Sequence, residues 1–424
     1  MNCTQNERIN QVSEQTLVIG VDIASELNYA RAFNWRGIEK GKVFKFFNNL
    51  EGFQAFNEWA HQVMSANKLT NLIVAAEPTG HYWFGLADYL KDEKLKLVLV
   101  NPFHVNRAKE LDDNHPSKTD AKDPKTIAKL VIEGRYMEPY IPEGVYADLR
   151  IMYNCRQKVT KAMISLENQL KRWFRIYFPE YLSVFGNLSG QGSMVVLEKA
   201  VLPEDIISLG VDGINKLWRE RKLRAVGMKR AESLYEAAVK SIGRREGSVG
   251  GRAEFRMLWE DYCHKMEQME KLNIELESLL HKVPQAEEVL KMKGIGVVSV
   301  AGFFAEVGDL RRFESPKQIQ KLAGLAIREN SSGKHKGQTT ISKRGRARLR
   351  AVLFNAAIAL VGRNGAFKSI HEYYIGRKAN PLKKKQSIVA VSCKLIRIIY
   401  AICRHKEAYD EAKMLRDIRR EQLA

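Results

Sequence analysis

The chain has 424 residues, 45% of them hydrophobic, enough for two or three packed cores and too many for wholesale disorder. Its formal net charge is +20, and residues 291–424 carry 29 Lys+Arg against 10 Asp+Glu, so nearly all of the surplus lies in that last part. Such a surplus is the footprint of a polyanion, most often a phosphate backbone. The five cysteines (Cys3, Cys155, Cys263, Cys393 and Cys403) include no CxxC pair, which excludes a zinc ribbon or a CxxC redox centre and suits a reducing compartment.

The N-terminus lacks the apolar core of a signal peptide, and the apolar runs Ala351 to Val361 and Ser387 to Cys403 are broken by Asn355 and by Lys394 and Arg397. These features predict a cytoplasmic protein with no membrane partner.

In chain order, Leu17 to Ile23 is a β-branched run predicting a strand, with further strands at Tyr29–Asn34 and Lys42–Phe47. Helical spacing follows over Leu50–Ala66, a buried strand at Leu72–Ala76, a helix at Tyr82–Lys91 and a strand at Leu95–Val100. This pattern predicts an α/β domain on a mixed sheet, ending in the Gly/Pro-punctuated stretch Gly134 to Pro142.

The middle is helical. A 3,4 spacing runs from Leu149 to Tyr177 and stops at Pro179. A second, from Phe255 to Val283, keeps four heptads with Asn273 at an a position. Two readings stay open for it: two helices packed within one chain, or a coiled coil that joins copies of the chain. Residues 180–252 read as a helical insertion flanked by glycine-rich links. The basic part opens with Gly294-Ile295-Gly296 at a helix start, either a tight turn or a phosphate cradle. It continues through a polar loop, Arg328 to Thr340, and the cations Lys343, Arg344, Arg346, Arg348 and Arg350, read as phosphate contacts.

Chemistry points first to acids. Asp22 closes an apolar strand, where a carboxylate needs compensation. Glu77 closes a second strand, and Asp120 and Asp123 would share one helix face. Four hard oxygen donors suit Mg²⁺ and a substrate phosphate. Asp123 has a competing reading, because Asp123-Pro124 resembles an N-cap followed by proline. His81, beside Tyr82 and Trp83, reads as packed. The loop Asn330 to Gly337 places Ser331 and Ser332 among cations that would hold a phosphate under attack by a hydroxyl.

The ordered motifs Gly20-Val21-Asp22, Glu77-Pro78-Thr79-Gly80-His81-Tyr82, Asn101-Pro102 and Lys118-Thr119-Asp120-Ala121-Lys122-Asp123 resemble one family. So do Gly294-Ile295-Gly296, Phe313 with Ser315, Ala323-Gly324-Leu325, Ser332-Gly333 and Lys343-Arg344-Gly345. It is the insertion-sequence one-ten family of DEDD transposases, recombinases that work with a structured bridge RNA. The resemblance implies an RNase H-like (RuvC-like) α/β domain over 1–142, coiled-coil helices over 143–288 with the insertion at about 180–252, and a mainly α transposase domain over 289–424. It implies Asp22, Glu77, Asp120 and Asp123 as ligands of Mg²⁺, with Mn²⁺ as a substitute, and Ser332, with Ser331 in reserve, as the nucleophile. The implied partners are donor and target DNA, a guide RNA and further copies of the chain, as a dimer or tetramer with composite sites. Pro124 and Ile327 depart from the family pattern.

Overall fold

The computed structural model describes residues 4–112, 122–328, 331–332, 335–336 and 339–420. It divides into two compact units, Met1–Ile141 and Pro142–Ala424.

The first unit is a six-stranded mixed sheet with helices on both faces. After α1 (Gln5–Asn10) come β1 (Thr16–Asp22), β2 (Leu27–Phe33), β3 (Phe44–Phe47), α2 (Leu50–Ala66), β4 (Asn71–Ala76), α3 (Trp83–Asp92), β5 (Lys96–Val100), α4 (Pro102–Asp112), α5 (Asp123–Ile132) and β6 (Tyr136–Met137). The strand order is β3-β2-β1-β4-β5-β6, with β1–β4 and β4–β5 parallel and the other pairs antiparallel. This arrangement fits the RNase H-like expectation. β1 is central and buried on both faces, which explains its unbroken apolar run. On one face Leu17, Ile19 and Val21 pack with Phe53 and Phe56 of α2 and Leu86 and Leu90 of α3. On the other, Val18, Ile73 and Val98 pack with Ile127, Ala128 and Val131 of α5.

Gly20 sets how close α5 comes. A Cβ there would fall 1.9 Å from the Pro124 carbonyl oxygen and 3.1 Å from the Ala128 nitrogen. Helix and strand therefore meet backbone to backbone, a distance no larger residue permits. The sequence reading placed β1–β5, α2 and α3 to within a few residues. It missed α1, α4 and the two-residue edge strand β6, none of which carries a clean period.

The second unit is helical. α6 (Val145–Tyr177) and α11 (Ser248–Leu280) span 33 residues each and lie antiparallel along one another. Leu149 and Tyr153 at the start of α6 share a core with Leu276 and Leu280 at the end of α11. Leu170, Trp173 and Phe174 at its other end share a core with Phe255 and Leu258. The Trp173 indole donates to the Gly251 carbonyl at 2.8 Å. Asn273, the polar residue of the heptad seam, accepts from Arg156 Nε of the same chain at 2.8 Å. The seam thus packs within one chain.

Between them, α7 (Tyr181–Val184), α8 (Gln191–Leu197), α9 (Pro203–Glu220) and α10 (Met228–Val239) gather around Tyr181, Val196, Ile206, Ile214, Trp218 and Leu234.

The remainder comprises α12 (Ala286–Leu290), α13 (Val297–Val307), a 3₁₀ turn (Leu310–Arg312) and α14 (Pro316–Leu322). Four two-residue strands follow, β7 (Ile327–Arg328), β8 (Ser331–Ser332), β9 (His335–Lys336) and β10 (Thr340–Ile341). The chain closes with α15 (Ala347–Arg363), α16 (Gly365–Gly376), α17 (Lys384–His405) and α18 (Glu411–Arg420). α13 is buried from Val300 to Val307. Its last carbonyls meet three guanidinium groups. Arg150 of α6 donates to Ala305 at 2.9 Å and to Glu306 at 3.2 Å, Arg312 donates to Val307 at 2.9 Å, and Arg346 also donates to Glu306. Cations at a helix C-terminus complement its dipole and its unpaired carbonyls. α17 is long and apolar enough to cross a bilayer, yet Val391, Leu395, Ile396, Ile399 and Ile402 lie in this core.

Two outcomes follow. Gly20→Val should destabilise the first unit by about 1–3 kcal/mol, the usual range for overpacking, read as a lower urea midpoint for its transition. An unchanged midpoint would contradict the backbone contact. Arg346 also lies 3.7 Å from the carboxylate of Glu306, which is 9% exposed. Removing its cation leaves that acid short of a partner. Arg346→Ala should therefore cost about 1–3 kcal/mol in chemical denaturation, while exposed Arg344→Ala stays within about 0.5 kcal/mol of wild type.

Candidate active site

Asp22 is the last residue of β1, and Val21 before it pairs with Ala76, the last residue of β4. Asp22 and Glu77 therefore leave two neighbouring parallel strands side by side, at their carboxyl ends. That edge is where open α/β sheets bind ligands. Gly20 faces α5, so the pleat turns Asp22, two residues on, to the same side. There α5 begins with Asp123. Asp22, Glu77 and Asp123 are each half-buried.

The competing account of Asp123 as an N-cap is corrected by the structure. Lys122 is the capping residue and makes no side-chain cap bond, while Asp123 is already in the first helical turn. Asp120 lies outside the described residues. The three described acids are thus drawn to one edge and one side of the sheet. Among the described residues, no three His, Cys, Asp or Glu side chains converge closely enough to hold a metal ion. The donor chemistry still fits a hard divalent cation, since all four candidates offer carboxylate oxygen. The close approach that Gly20 permits brings Asp123 towards the strand ends.

The surrounding loops are tied together by Asn48, a residue that the sequence did not single out. Its side-chain amide donates to the Ala24 carbonyl at 3.1 Å and to the Tyr82 carbonyl at 3.2 Å. It links the turn after β1 to the turn after β4, and an Asn between a strand and its cap residue carries no signal of that role. His81 is exposed, its ring 4.5 Å from that of Tyr82, and is not packed in the core as expected.

In the second unit, the described residues of the predicted polar loop include short paired strands. β7 pairs with β10, and β8 with β9, bringing Ser331 opposite Lys336 and Ser332 opposite His335. Ser332 is thus the last residue of β8, and Lys334, His335 and Lys336 follow closely in the chain.

The five cations read as phosphate contacts divide by role. Arg346 grips the end of α13, and Arg350 donates to the Ala323 and Lys343 carbonyls at 3.0 and 3.3 Å. Arg348 donates to the Asn154 side chain of α6. These three hold the fold. Lys343 and Arg344 are exposed, and neither makes an ion pair among the described residues. Gly345 explains the turn between the two groups: a Cβ there would lie 2.5 Å from the Leu322 carbonyl oxygen. Likewise Gly294, at φ 99°, would place a Cβ 3.0 Å from Cβ of Arg363 on α15, so the tight turn has a packing cause.

Cysteine chemistry is disfavoured. The described cysteines are unpaired, burial raises the thiol pKa of Cys263 and Cys393, and it pushes Cys403 up to about 12.

Comparison with known proteins agrees with this arrangement. Residues 19–179 match the family model of the DEDD transposases of the IS110 type, and residues 286–374 match that of the "Transposase IS116/IS110/IS902 family". Together these matches cover more than half of the chain. An uncharacterized 44.8 kDa protein of insertion element IS116 from Streptomyces clavuligerus is 24% identical over 70% of this chain and 73% of its own length. The pilin gene-inverting protein of Moraxella bovis is 31% identical over 35% of this chain and 47% of its own. The transposase for insertion sequence element IS1111A of Coxiella burnetii is 27% identical over 32% of this chain and 37% of its own. With an α/β sheet carrying the acids and a basic helical region carrying the second match, the chain belongs to the IS116/IS110/IS902 family and is a DNA transposase.

Proposed function

We propose that this transposase is an RNA-guided recombinase of an insertion sequence, cutting and rejoining donor and target DNA through a serine. The observation that supports this reading is that Asp22 and Glu77 end neighbouring parallel strands at one sheet edge, with Asp123 in the first turn of the helix packed on β1. The assigned segments are residues 1–142 for the RuvC-like part, 143–288 for the helical arm and 289–424 for the serine part. Asp22, Glu77, Asp120 and Asp123 would hold Mg²⁺ or Mn²⁺, which supplies positive charge to a phosphate gaining negative charge. Ser332 attacks phosphorus: a serine phosphoester forms, one deoxyribose ester bond breaks, and the proton given up by the serine hydroxyl balances the one taken up by the leaving oxygen. Lys343 and Arg344 hold the flanking backbone. A guide RNA would choose the sites by base pairing, leaving the protein to read backbone and shape.

The working form is a dimer or tetramer in the bacterial cytoplasm, close to the nucleoid. Its contact is through the arm of α6 and α11, which leaves Ile151, Ile164, Met257 and Ile274 exposed. A second reading uses the same acids with water as the nucleophile, as in a junction-resolving nuclease. It is favoured if Ser332 proves dispensable.

Incubation with Mg²⁺, RNA transcribed from the element's flank and matched DNA should yield a protein–DNA adduct that survives a denaturing gel. Ser332→Ala and Asp22→Ala should each abolish it. Cleavage without an adduct, retained in Ser332→Ala, would establish the water-using nuclease instead.

A further inference from the structure

The helical insertion segregates its charge. Residues 216–230 hold seven Lys+Arg and one acid, while the rest of 180–252 holds five against eight. The cations run through the end of α9, the connecting loop and the start of α10. A disordered cationic loop would be a solvated surface and nothing more. This one is anchored from behind.

Trp218 is fully buried and donates from its indole to the Gly192 carbonyl at 2.8 Å, and its own carbonyl accepts from the Leu223 amide at 2.9 Å. Arg219 closes the loop on the Val226 carbonyl, and Arg230 reaches the Val184 carbonyl across the Phe185 ring. Arg221 is paired with Glu198 at 2.9 Å. Three of the seven cations are thus spent on holding the hairpin. The other four, Lys216, Lys222, Arg224 and Lys229, are exposed and make no ion pair among the described residues. Beside them, α7 and α10 flank an open groove of about 850 Å³ lined by Ser183, Lys229, Arg230 and Ser233, and by Lys240 paired with Glu236 at 3.7 Å. Glu180, on the same groove, is occupied by the Ser241 hydroxyl at 2.6 Å and the Ile242 amide at 3.1 Å.

We infer that the α9–α10 hairpin is a second nucleic-acid-binding surface, gripping a phosphodiester backbone independently of the acids, the serine and the basic C-terminal part. Four cations fixed on a rigid hairpin offer charge, and their own N–H groups, to a phosphate without reading base edges. The ligand is a sugar–phosphate chain of any sequence. DNA and structured RNA share that chemistry.

The test uses the full chain with Lys216, Lys222, Arg224 and Lys229 all changed to Ser. Fluorescence anisotropy is followed over a KCl series on two probes, a mixed-sequence DNA duplex and an RNA stem-loop. Every phosphate that the variant no longer neutralises lowers the log–log salt slope by about 0.7–0.9, so the slope should fall by about 2–4 and affinity by at least about tenfold. Weakening on RNA alone assigns the surface to RNA, weakening on DNA alone assigns it to DNA, and weakening on both assigns it to backbone in general. Arg244→Ser with Arg245→Ser, on the same insertion outside the hairpin, should keep the wild-type slope. If the fourfold variant melts early, Lys216→Ser/Lys222→Ser and Arg224→Ser/Lys229→Ser should each remove about half the slope change while melting as wild type. Unchanged slope and affinity on both probes, in variants that melt normally, would overturn the inference.

Discussion

Backbone contact between α5 and β1 at Gly20 is the constraint on which the candidate site depends. Parallel pairing of β1 with β4 places Asp22 beside Glu77. That pairing alone would leave two acids at a strand edge facing solvent. The third is brought to the same side of the sheet because α5 lies against a strand position with no side chain, Pro124 over Gly20. The proline that departs from the family pattern is thus part of the contact. It stands one residue after Asp123, in a first turn where its missing N–H costs nothing.

The second unit solves a different problem. α13 is almost wholly apolar and sits in the centre of its core, so its terminal carbonyls would be left without partners. Arg150, Arg312 and Arg346 supply donors from three separate elements. This explains why a strongly basic region does not present all its cations to a ligand. Part of the surplus is structural, and the part left over for a phosphate backbone is smaller and more local than a charge count suggests.

The first unit was legible because its strands are short apolar runs and its helices keep one period. Leu17 to Val21 reads as a buried strand, and the spacing of Phe53, Phe56, Trp59 and Val63 reads as a helix, of which Phe53, Phe56 and Val63 are buried. Asp22 and Glu77 could be singled out as carboxylates ending such runs. Other features were hidden because they are tertiary. Nothing local distinguishes Arg346 from Arg344, yet one meets Glu306 and the other solvent. The seam from Phe255 to Val283 suits a partner helix from the same chain as well as one from another. The choice fell to α6, whose Arg156 meets Asn273. β8 and β9 have two residues each, too few to leave a period in the sequence.

The central claim is that Asp22, Glu77, Asp120 and Asp123 act as one divalent-metal site. It is tested most directly by replacing Mg²⁺ with Fe²⁺ and generating hydroxyl radicals at the bound ion, which cut the nearby backbone. Mapping the fragments should place cuts around Asp22, Glu77 and Asp123 together, suppressed by excess Mg²⁺ and abolished in Asp22→Asn. Cuts that fall elsewhere, or that persist unchanged in Asp22→Asn, would contradict it.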